Sequence, residues 1–267
     1  MTHRTKIMGI LNVTPDSFSD GGKWISEKAL DERIDQLIAE GADIIDVGGE
    51  STRPFAEPVR VDEELARVIP AIRKIRQRSD ISISIDTTKA AVARAAIDAG
   101  ATMINDISAL RQDPEMLAVV RSFDGPVVIM HMQGTPGDMQ RNPQYSDVVA
   151  EINDFFTERI CWLDANGVDR SRIIVDPGIG FGKTLEHNLT ILRNIPAFKE
   201  HGCPVLIGHS RKSFLGQVLD IPVDERDSPT ALVSVFCAQQ QVDILRVHDT
   251  RSTVQALVLH NVLIDLP

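Results

Sequence analysis

The chain of 267 residues has little cysteine, few aromatic side chains and no excess of positive charge. Its three cysteines are scattered without a CxxC pair, which is typical of reduced thiols in a cytoplasmic protein. Lys and Arg number 28 against 38 Asp and Glu, and this acidic balance argues against nucleic-acid binding, which needs a basic surface. No apolar run approaches the ~18 residues of a membrane span, and the first residues lack the apolar core of a signal peptide.

Several familiar cofactor motifs are also missing. The seven histidines include no HExxH pattern and no Cys/His cluster, so a structural zinc site is not expected. No GxGxxG follows the first apolar run, as a dinucleotide-binding fold would require. The segment 177–184 resembles a phosphate-binding loop, but Pro177 stands where the GxxxxGK[ST] pattern needs glycine, which argues against binding of a nucleoside triphosphate.

What the sequence does contain is a regular alternation of short, β-branched apolar runs with helical patterns. The runs are Lys6–Leu11, Asp43–Val47, Ile81–Ile85, Met103–Asn105, Pro126–Met130, Arg172–Val175, Pro204–Ile207 and Ile244–Val247. Strands that are apolar on both faces and alternate with helices indicate a parallel sheet. Eight such units at this length predict an α/β fold, a single-domain (β/α)8 TIM barrel over residues 1–267, in preference to an open doubly wound sheet.

Two helices carry more specific expectations. Ser228 is predicted to cap, and Pro229 to open, a helix that runs to about Gln240. The last helix, Ser252–Leu263, has two apolar stripes, and a surface helix of a barrel needs only one. We expect the first stripe to face the barrel and the second to face either another subunit or a neighbouring helix. The first consists of Val254, Leu257, Val258 and Val262, and the second of Ala256, Leu259 and Leu263.

Polar side chains end nearly every predicted strand. They are Asn12, Asp46, Asp86, Asn105–Asp106, His131, Asp176, His209 and Arg246–His248. One such residue alone is more often a helix cap or turn former. Eight in register predict a polar pocket at the carboxyl end of the barrel, where enzymes of this fold place their active sites. Hard oxygen ligands there would suit Mg2+ together with a substrate phosphate.

The loops at these strand ends resemble, in order and over nearly the whole chain, the motifs of the dihydropteroate synthase family. The matching segments are Asn12–Gly22, Asp46–Pro54, Ser84–Thr87, Ile104–Asp106, Met130–Gly134, Asp176–Lys183, Ser210–Ser213 and Arg246–Asp249. The resemblance implies a (β/α)8 barrel that is usually a homodimer. It also implies that 6-hydroxymethyl-7,8-dihydropterin pyrophosphate condenses with 4-aminobenzoate to 7,8-dihydropteroate and pyrophosphate, with sulfonamides competing for the aminobenzoate site.

The same resemblance implies a role for each matching side chain. The pterin is expected to contact Asp86, Asn105, Met130, Asp176 and Lys212. The pyrophosphate is expected to contact Thr52, Arg53, Arg246 and His248, with Asn12 on the accompanying Mg2+. The aminobenzoate pocket is expected to comprise Phe18, Pro54, Phe181, Lys212 and Ser213. Catalytic roles are implied for Asp16, Lys212, Arg246 and His248, and a loop with Thr14, Asp16 and Phe18 is expected to close over the site.

Two other functions remain open from the residues. The first is a pterin-binding barrel that passes a methyl group from methyltetrahydrofolate to a corrinoid protein, which would have no use for a pyrophosphate site. The joint presence of Thr52–Pro54, Ser210–Ser213 and Arg246–His248 argues against it. The second is a homologue that only binds pterins. One departure from the family pattern is Phe55, which stands where glycine is common.

Overall fold

The computed structural model describes residues 4–14, 23–51 and 58–264, with the backbone alone for 23–26. Its eight strands form one parallel sheet in the order β6-β5-β4-β3-β2-β1-β8-β7. They are β1 Lys6–Asn12, β2 Ile44–Gly48, β3 Ser82–Asp86, β4 Met103–Asp106, β5 Val127–Met130, β6 Ile173–Asp176, β7 Leu206–Ile207 and β8 Ile244–Val247. A parallel bridge between Val175 and Val205 joins β6 to the segment before β7. The sheet therefore closes, and the predicted (β/α)8 barrel is confirmed.

Helices follow the strands around the outside of the barrel. They are α1 Lys23–Ala39, α2 Val61–Arg78, α3 Ala90–Asp98, α4 Met116–Arg121, α5 Val148–Ala165, α6 Leu185–Arg193, α7 Ile195–Phe198, α8 Ser213–Leu219, α9 Asp227–Gln239 and α10 Thr250–Ile264. Short 3-10 turns lie at Arg170–Arg172, Lys199–His201 and Val223–Glu225. No helix in the described ranges is long and apolar enough to cross a bilayer.

The interior of the barrel has an apolar layer below a polar one. The apolar layer consists of Met8, Ile44, Met103, Val128, Ile174, Leu206 and Ile244. Side chains alternate between the two faces of a strand, so the residue two positions later points inward again, nearer the carboxyl end. On β6 that step leads from Ile174 to Asp176, and on β8 it leads from Ile244 to Arg246. Because side-chain direction repeats every two residues, these polar strand ends lie directly above the apolar layer.

The predicted cap at Ser228 is wrong. Helix α9 begins at Asp227, and Ser228 lies within its first turn. The N-cap residue is Arg226, whose side chain makes no capping hydrogen bond. The early start has a visible cause, because Asp227 accepts a forked pair of hydrogen bonds from Arg211 at 2.6 and 2.7 Å. An ion pair between Arg211, in the loop after β7, and the first residue of α9 therefore lies at the start of this helix, in place of the predicted cap.

The two stripes of α10 are also arranged differently from the prediction. Leu257 is buried and Val254 half-buried, but Val258 and Val262 are 57% and 55% exposed. The side chains that α10 buries are Thr250, Thr253 and Leu257. This spacing of three and four residues is a single narrow stripe. Apolar side chains on the rest of the helix therefore stay at the surface.

Candidate functional site

The centre of the site is one arginine held between two buried carboxylates. Arg246 Nε donates to Asp46 Oδ2 and Arg246 Nη2 donates to Asp86 Oδ2, each at 2.6 Å. Asn105 Nδ2 donates to Asp46 Oδ2 at 3.3 Å. The ends of β2, β3, β4 and β8 are therefore tied together by side chains. These two ion pairs use two of the five N–H donors of the guanidinium, so further donors are available to an anion.

Burial sets the charges of this group. It raises the pKa of Asp86 to about 7, with Arg246 opposing the shift and the charge of Asp46 adding to it. Burial also works against the charge of Arg246, but Asp46 and Asp86 more than offset it and raise the pKa of the guanidinium. A further hydrogen-bond donor would stabilise the charged form of Asp86, and a ligand with N–H groups would supply one.

Asp176 is a second buried carboxylate of the pocket. Its Oδ1 accepts a hydrogen bond from the Gly178 backbone amide at 2.8 Å. Burial raises the pKa of Asp176 to about 6, while the Gly178 amide and the positive charge of Lys212 oppose the shift. An N–H donor on a bound ligand would favour the charged form of this carboxylate as well.

An apolar surface lies beside these carboxylates. The strand register pairs Met130 with Asp176. Met130 belongs to a buried cluster that also contains Ile107, Met132, Met139 and Phe181. The pocket thus offers hydrogen-bonding groups next to flexible thioether side chains, a combination that suits a flat heteroaromatic ring.

The loops after β6 and β7 meet through Phe181 and Lys212. Lys212 Nζ lies 4.0 Å from the centroid of the Phe181 ring. Burial and the positive charge of Arg246 lower the pKa of Lys212 to about 8. Ser213 is the exposed first residue of α8. Gly180 has a φ of 80° and lies so close to Lys212 that a Cβ would be 3.1 Å from its Cδ, so a larger residue would displace this lysine.

Lys183 holds the loop after β6 against the loop after β5. Its Nζ donates to the carbonyl oxygens of Phe181 at 2.9 Å and His131 at 3.3 Å, and lies 3.1 Å from His131 Nδ1. A Cβ on Gly178 would lie 2.0 Å from the His131 carbonyl oxygen, which shows how closely the loops approach. Burial lowers the pKa of Lys183 to about 7. The lysine positions the backbone that carries Phe181.

We expect Lys183→Met to destabilise the protein by about 2–4 kcal/mol, because two buried carbonyl groups lose their donor. The Michaelis constant for a ligand that packs on Phe181 is expected to rise several-fold. Urea unfolding and steady-state kinetics measure the two effects. Lys28→Met on the exposed face of α1 is the matched control. Equal unfolding midpoints for the two variants would refute the proposed role of Lys183.

Asn12 and Asp86 approach the same point above the end of β2. A Cβ placed on Gly48 would lie 3.6 Å from Asn12 Oδ1 and 3.7 Å from Asp86 Oδ2. Hard oxygen atoms of this kind suit Mg2+, which keeps water and substrate phosphate among its ligands. In the described part of the chain, no group of three or more His, Cys, Asp or Glu residues could hold a metal by itself. The donor set therefore fits a Mg2+ ion that arrives with a phosphate.

His248 follows β8 and lies near several positively charged side chains. Burial lowers its pKa to about 3, and the charges of Arg211, Arg246, Lys212 and Arg33 act in the same direction. The imidazole is therefore neutral at pH 7. Ser210 Oγ lies 3.0 Å from His248 Nδ1, and Arg33 Nη2 donates to the His248 carbonyl at 2.5 Å.

Other polar strand ends serve the loops. Asp106 accepts from the amide and hydroxyl of Ser108, both at 2.7 Å, and from the Leu110 amide at 3.0 Å. His209 Nε2 lies 3.0 Å from both the Thr230 carbonyl and the Ser234 hydroxyl. The turn-forming interpretation is right for Asp106, whereas His209 is buried against helix α9.

Most of the predicted site residues lie at this end of the barrel. They are Asn12, Asp86, Asn105, Met130, Asp176, Phe181, Lys212, Ser213, Arg246 and His248. A cavity of about 570 Å3 opens beside Asp86. Predictions that lie outside the described residues concern Asp16, Phe18, Thr52, Arg53, Pro54 and Phe55.

Sequence reasoning placed Asp46 in the polar pocket without a partner, and it gave no individual role to Ser210 or Arg33. Asp46 and Ser210 stood in recognised motifs, and the position of Asp46 two residues after the inward-facing Ile44 was a usable signal. Arg33 on α1 gave no signal, because its contact with His248 spans 215 residues.

A family model described as pterin binding enzyme matches residues 8–248. The chain belongs to this family of pterin-binding enzymes. The dihydropteroate synthase of Synechocystis is 47% identical over 94% of this chain and 88% of that protein. The Yersinia pestis dihydropteroate synthase, solved as a sulfonamide drug complex, superposes with a TM-score of 0.92 at 42% identity over 98% of this chain and 95% of that one.

A third similar protein was solved with 4-aminobenzoic acid. The Xanthomonas albilineans dihydropteroate synthase, solved with 4-aminobenzoic acid, has a TM-score of 0.92 at 44% identity, covering 99% of this chain and 94% of that one. These relatives make this pterin-binding enzyme a transferase of folate biosynthesis. They favour the synthase over the methyltransferase alternative.

Proposed function

We propose that the enzyme condenses 6-hydroxymethyl-7,8-dihydropterin pyrophosphate with 4-aminobenzoate, giving 7,8-dihydropteroate and pyrophosphate. The observation that carries this proposal is the junction at Arg246, where a permanent cation touches a buried carboxylate, Asp86, at 2.6 Å. Arg246 would bind the phosphate of the substrate, and Asp86 would accept hydrogen bonds from its N–H groups. A ligand with both features next to each other matches this junction.

The pterin would occupy the mouth of the barrel. Asp86 and Asp176 would accept hydrogen bonds from the N–H groups on the ring edge, and Asn105 would supply an amide beside them. Met130 would pack along the ring face, and the Lys212 ammonium would donate to the ring carbonyl. The raised pKa of Asp176, about 6, indicates that the unliganded carboxylate is short of donors. The pterin edge supplies those donors.

The pyrophosphate would be held by Arg246 and His248, with Thr52 and Arg53 from the loop after β2. Forked guanidinium groups match phosphate oxygens, and a preorganised donor of this kind contributes about 3–4 kcal/mol to a transition state in which charge develops. We propose Asn12 as a protein ligand of Mg2+. When bound, Mg2+ would neutralise charge on the pyrophosphate.

The aminobenzoate would lie against Phe181, with Phe18 and Pro54 completing the pocket. Its carboxylate would face Ser213 and Lys212 at the start of α8. We propose that sulfonamides compete for this place, as the Yersinia pestis complex suggests. The short contact between Lys212 and Phe181 supports the assignment, since it places a cation beside the aromatic wall.

We propose a dissociative order of events. The bond between the pterin methylene carbon and the pyrophosphate oxygen breaks first, and the oxygen keeps the electron pair. The aniline nitrogen then attacks the cationic methylene, a C–N bond forms, and the nitrogen releases one proton. Asp16 is the proposed partner of the cation or the amine. Release of pyrophosphate from the pterin substrate alone would support this order, and its strict absence would contradict it.

The activity itself is tested by mixing the purified protein with the pterin pyrophosphate, 4-aminobenzoate and Mg2+. We expect pteroate and pyrophosphate in equal amounts, and no pteroate when aminobenzoate is omitted. Bound pterin without any pteroate would overturn the synthase function and favour a binding protein. Methyl transfer from methyltetrahydrofolate to a corrinoid protein would favour the methyltransferase.

We also propose that the enzyme is a homodimer, formed through the surface of α8, α9 and α10. Large apolar side chains are exposed on this surface. They are Val218, Leu219, Leu232, Phe236, Val258, Leu259, Val262, Leu263 and Ile264. Helices α9 and α10 pack against each other, so the exposed apolar residues of these two helices lie on neighbouring elements. Grouped apolar residues of this kind are typical of a protein interface, which supports an isologous contact between two copies.

We expect Leu259→Asp to turn the dimer into a monomer, because a charge would be buried in the interface of each copy. Sedimentation at micromolar concentration measures the change. Val61→Asp, on the distant α2, is the control and should leave the dimer intact. A wild-type protein that sediments as a monomer would refute the proposal.

We propose a cytoplasmic location. Its support is the state of the three cysteines, which are all free thiols in the described structure. Free thiols of this kind are typical of a reducing compartment.

A further inference from the structure

Ser210 contacts His248 twice, once at the backbone and once at the ring. The His248 backbone N–H donates to Ser210 Oγ at 3.1 Å. The same Oγ lies 3.0 Å from His248 Nδ1. Ser210 is only 4% exposed, so its hydroxyl is held in the protein and shielded from water.

The direction of the second hydrogen bond follows from the donors and acceptors within reach of Oγ. A serine hydroxyl has one proton to donate and two lone pairs to accept with. The backbone N–H can only donate, so it takes one lone pair of Oγ. One lone pair and the hydroxyl proton remain, and His248 Nδ1 is the only further partner of Oγ among the described residues. Nδ1 therefore accepts the hydroxyl proton, because a protonated Nδ1 would leave that proton without an acceptor in a buried place. The ring is neutral because burial and the surrounding cations hold its pKa at about 3, so its single proton lies on Nε2.

We propose that Ser210 is a positioning residue that fixes His248 in the Nε2–H tautomer. The imidazole then presents a hydrogen-bond donor, in place of a lone pair, to the phosphate oxygens of the substrate and of the leaving pyrophosphate. This use of the ring rests on the proposed function, whereas the tautomer itself is a property of the free protein. A neutral donor assists the leaving group without needing to be protonated first, so it is available throughout the neutral pH range.

The backbone of His248 is fixed on its other side as well. Arg33 of α1 donates to the His248 carbonyl at 2.5 Å. The N–H and the carbonyl of this residue are therefore both occupied, by Ser210 and Arg33 respectively. The ring can still turn about its side-chain bonds, and the contact between Oγ and Nδ1 opposes that rotation. This separates the role of Ser210 from that of Arg33, which acts on the backbone alone.

The tautomer is read directly from long-range 1H–15N correlation spectra of protein labelled at histidine. The His248 signals are assigned by their loss in His248→Gln. We expect the wild-type ring to have its proton on Nε2 and an unprotonated Nδ1. Ser210→Ala should give a mixture of tautomers, and Ser210→Thr, which keeps the hydroxyl, should restore the wild-type pattern. A wild-type ring protonated on Nδ1 overturns the proposal without any variant, and so does an unchanged pattern in Ser210→Ala.

A binding measurement connects the tautomer to the substrate. In Ser210→Ala we expect the dissociation constant of pyrophosphate to rise about tenfold, the loss of one hydrogen bond to a charged group. Binding of 6-hydroxymethylpterin, which has no phosphate, should be unchanged. Equal weakening of both ligands would indicate general disturbance of the fold and contradict the role of Ser210. If the proposed function fails, the wild-type protein makes no pteroate, while the NMR result still tests the tautomer.

Discussion

Arg246→Met is expected to abolish measurable pteroate synthesis and to lower the free energy of unfolding by about 3–5 kcal/mol, the cost of leaving a buried ion pair without one partner. Arg246 contacts both Asp46 and Asp86 through charged hydrogen bonds. Without the guanidinium, two carboxylates face each other in a buried site. The proposed phosphate site loses a permanent cation at the same time. Urea unfolding and a pyrophosphate-release assay measure the two effects.

The loss of stability in Arg246→Met should depend on pH in a defined direction. Burial already raises the pKa of Asp86 to about 7 with Arg246 present, and removing the cation raises it further. A carboxylate whose pKa is raised in the folded state destabilises the protein as pH rises from its ordinary pKa to the raised one. The deficit of the variant should therefore be larger at pH 8 than at pH 5.

Arg246→Lys and Arg60→Met are the controls for this prediction. Lysine keeps the positive charge but lacks the forked donors of the guanidinium. We therefore expect Arg246→Lys to be more stable than Arg246→Met, but to have poor turnover. Arg60 pairs with Asp62 at the exposed start of α2, and its loss should leave stability and turnover unchanged. If Arg246→Met unfolds at the wild-type urea concentration, the ion pairs do not contribute as the structure implies.

Asp176→Asn is expected to change activity and stability in opposite directions. We expect kcat/KM for the pterin substrate to fall by roughly 10–100-fold, because charged hydrogen bonds to the ring edge become neutral ones. The amide oxygen can still accept from Gly178. Burial raises the folded-state pKa of Asp176 from 3.8 to about 6, so the wild-type protein loses stability as pH rises from about 4 to 6.

The asparagine has no charge to bury, so the variant should be more stable than the wild type above pH 6, by at most about 3 kcal/mol. Below pH 4 this advantage should vanish. Urea unfolding at pH 4, 5 and 8 follows the trend. Asp169→Asn is the control, because the Ser171 amide lowers the pKa of that exposed carboxyl and a neutral residue there should not stabilise. A variant that is fully active, or less stable than the wild type at pH 8, would contradict the assigned role.

Taken together, these two variants separate the two carboxylates of the pterin pocket. Asp86 is paired with a protein cation, so the folded protein depends on that pairing. Asp176 accepts a hydrogen bond from the Gly178 backbone amide, and a bound ligand would supply further donors. Both carboxylates have a raised pKa, so both are kept at a cost in stability above about pH 4, and at Asp86 the charge of Arg246 offsets part of that cost.

The sequence by itself determined the barrel and most of its site. Alternating apolar runs specify buried parallel strands, and a period of two along Ile244–Val247 places Arg246 on the same face as an inward apolar residue. Local spacing is enough for these conclusions, because the direction of a side chain on a strand depends on its neighbours in the chain. Ordered loop motifs then indicated the family, which the comparisons confirm.

Only the tertiary structure decided which side chains pair with each other. Arg246 lies 200 residues from Asp46 and 160 from Asp86, and no periodicity connects positions so far apart. The start of α9 and the exposure of Val258 and Val262 on α10 were missed for the same reason, because both depend on contacts with distant parts of the chain. The contact between Ser210 and His248 also depends on the tertiary structure, because the loops after β7 and β8 meet only when these two strands pair.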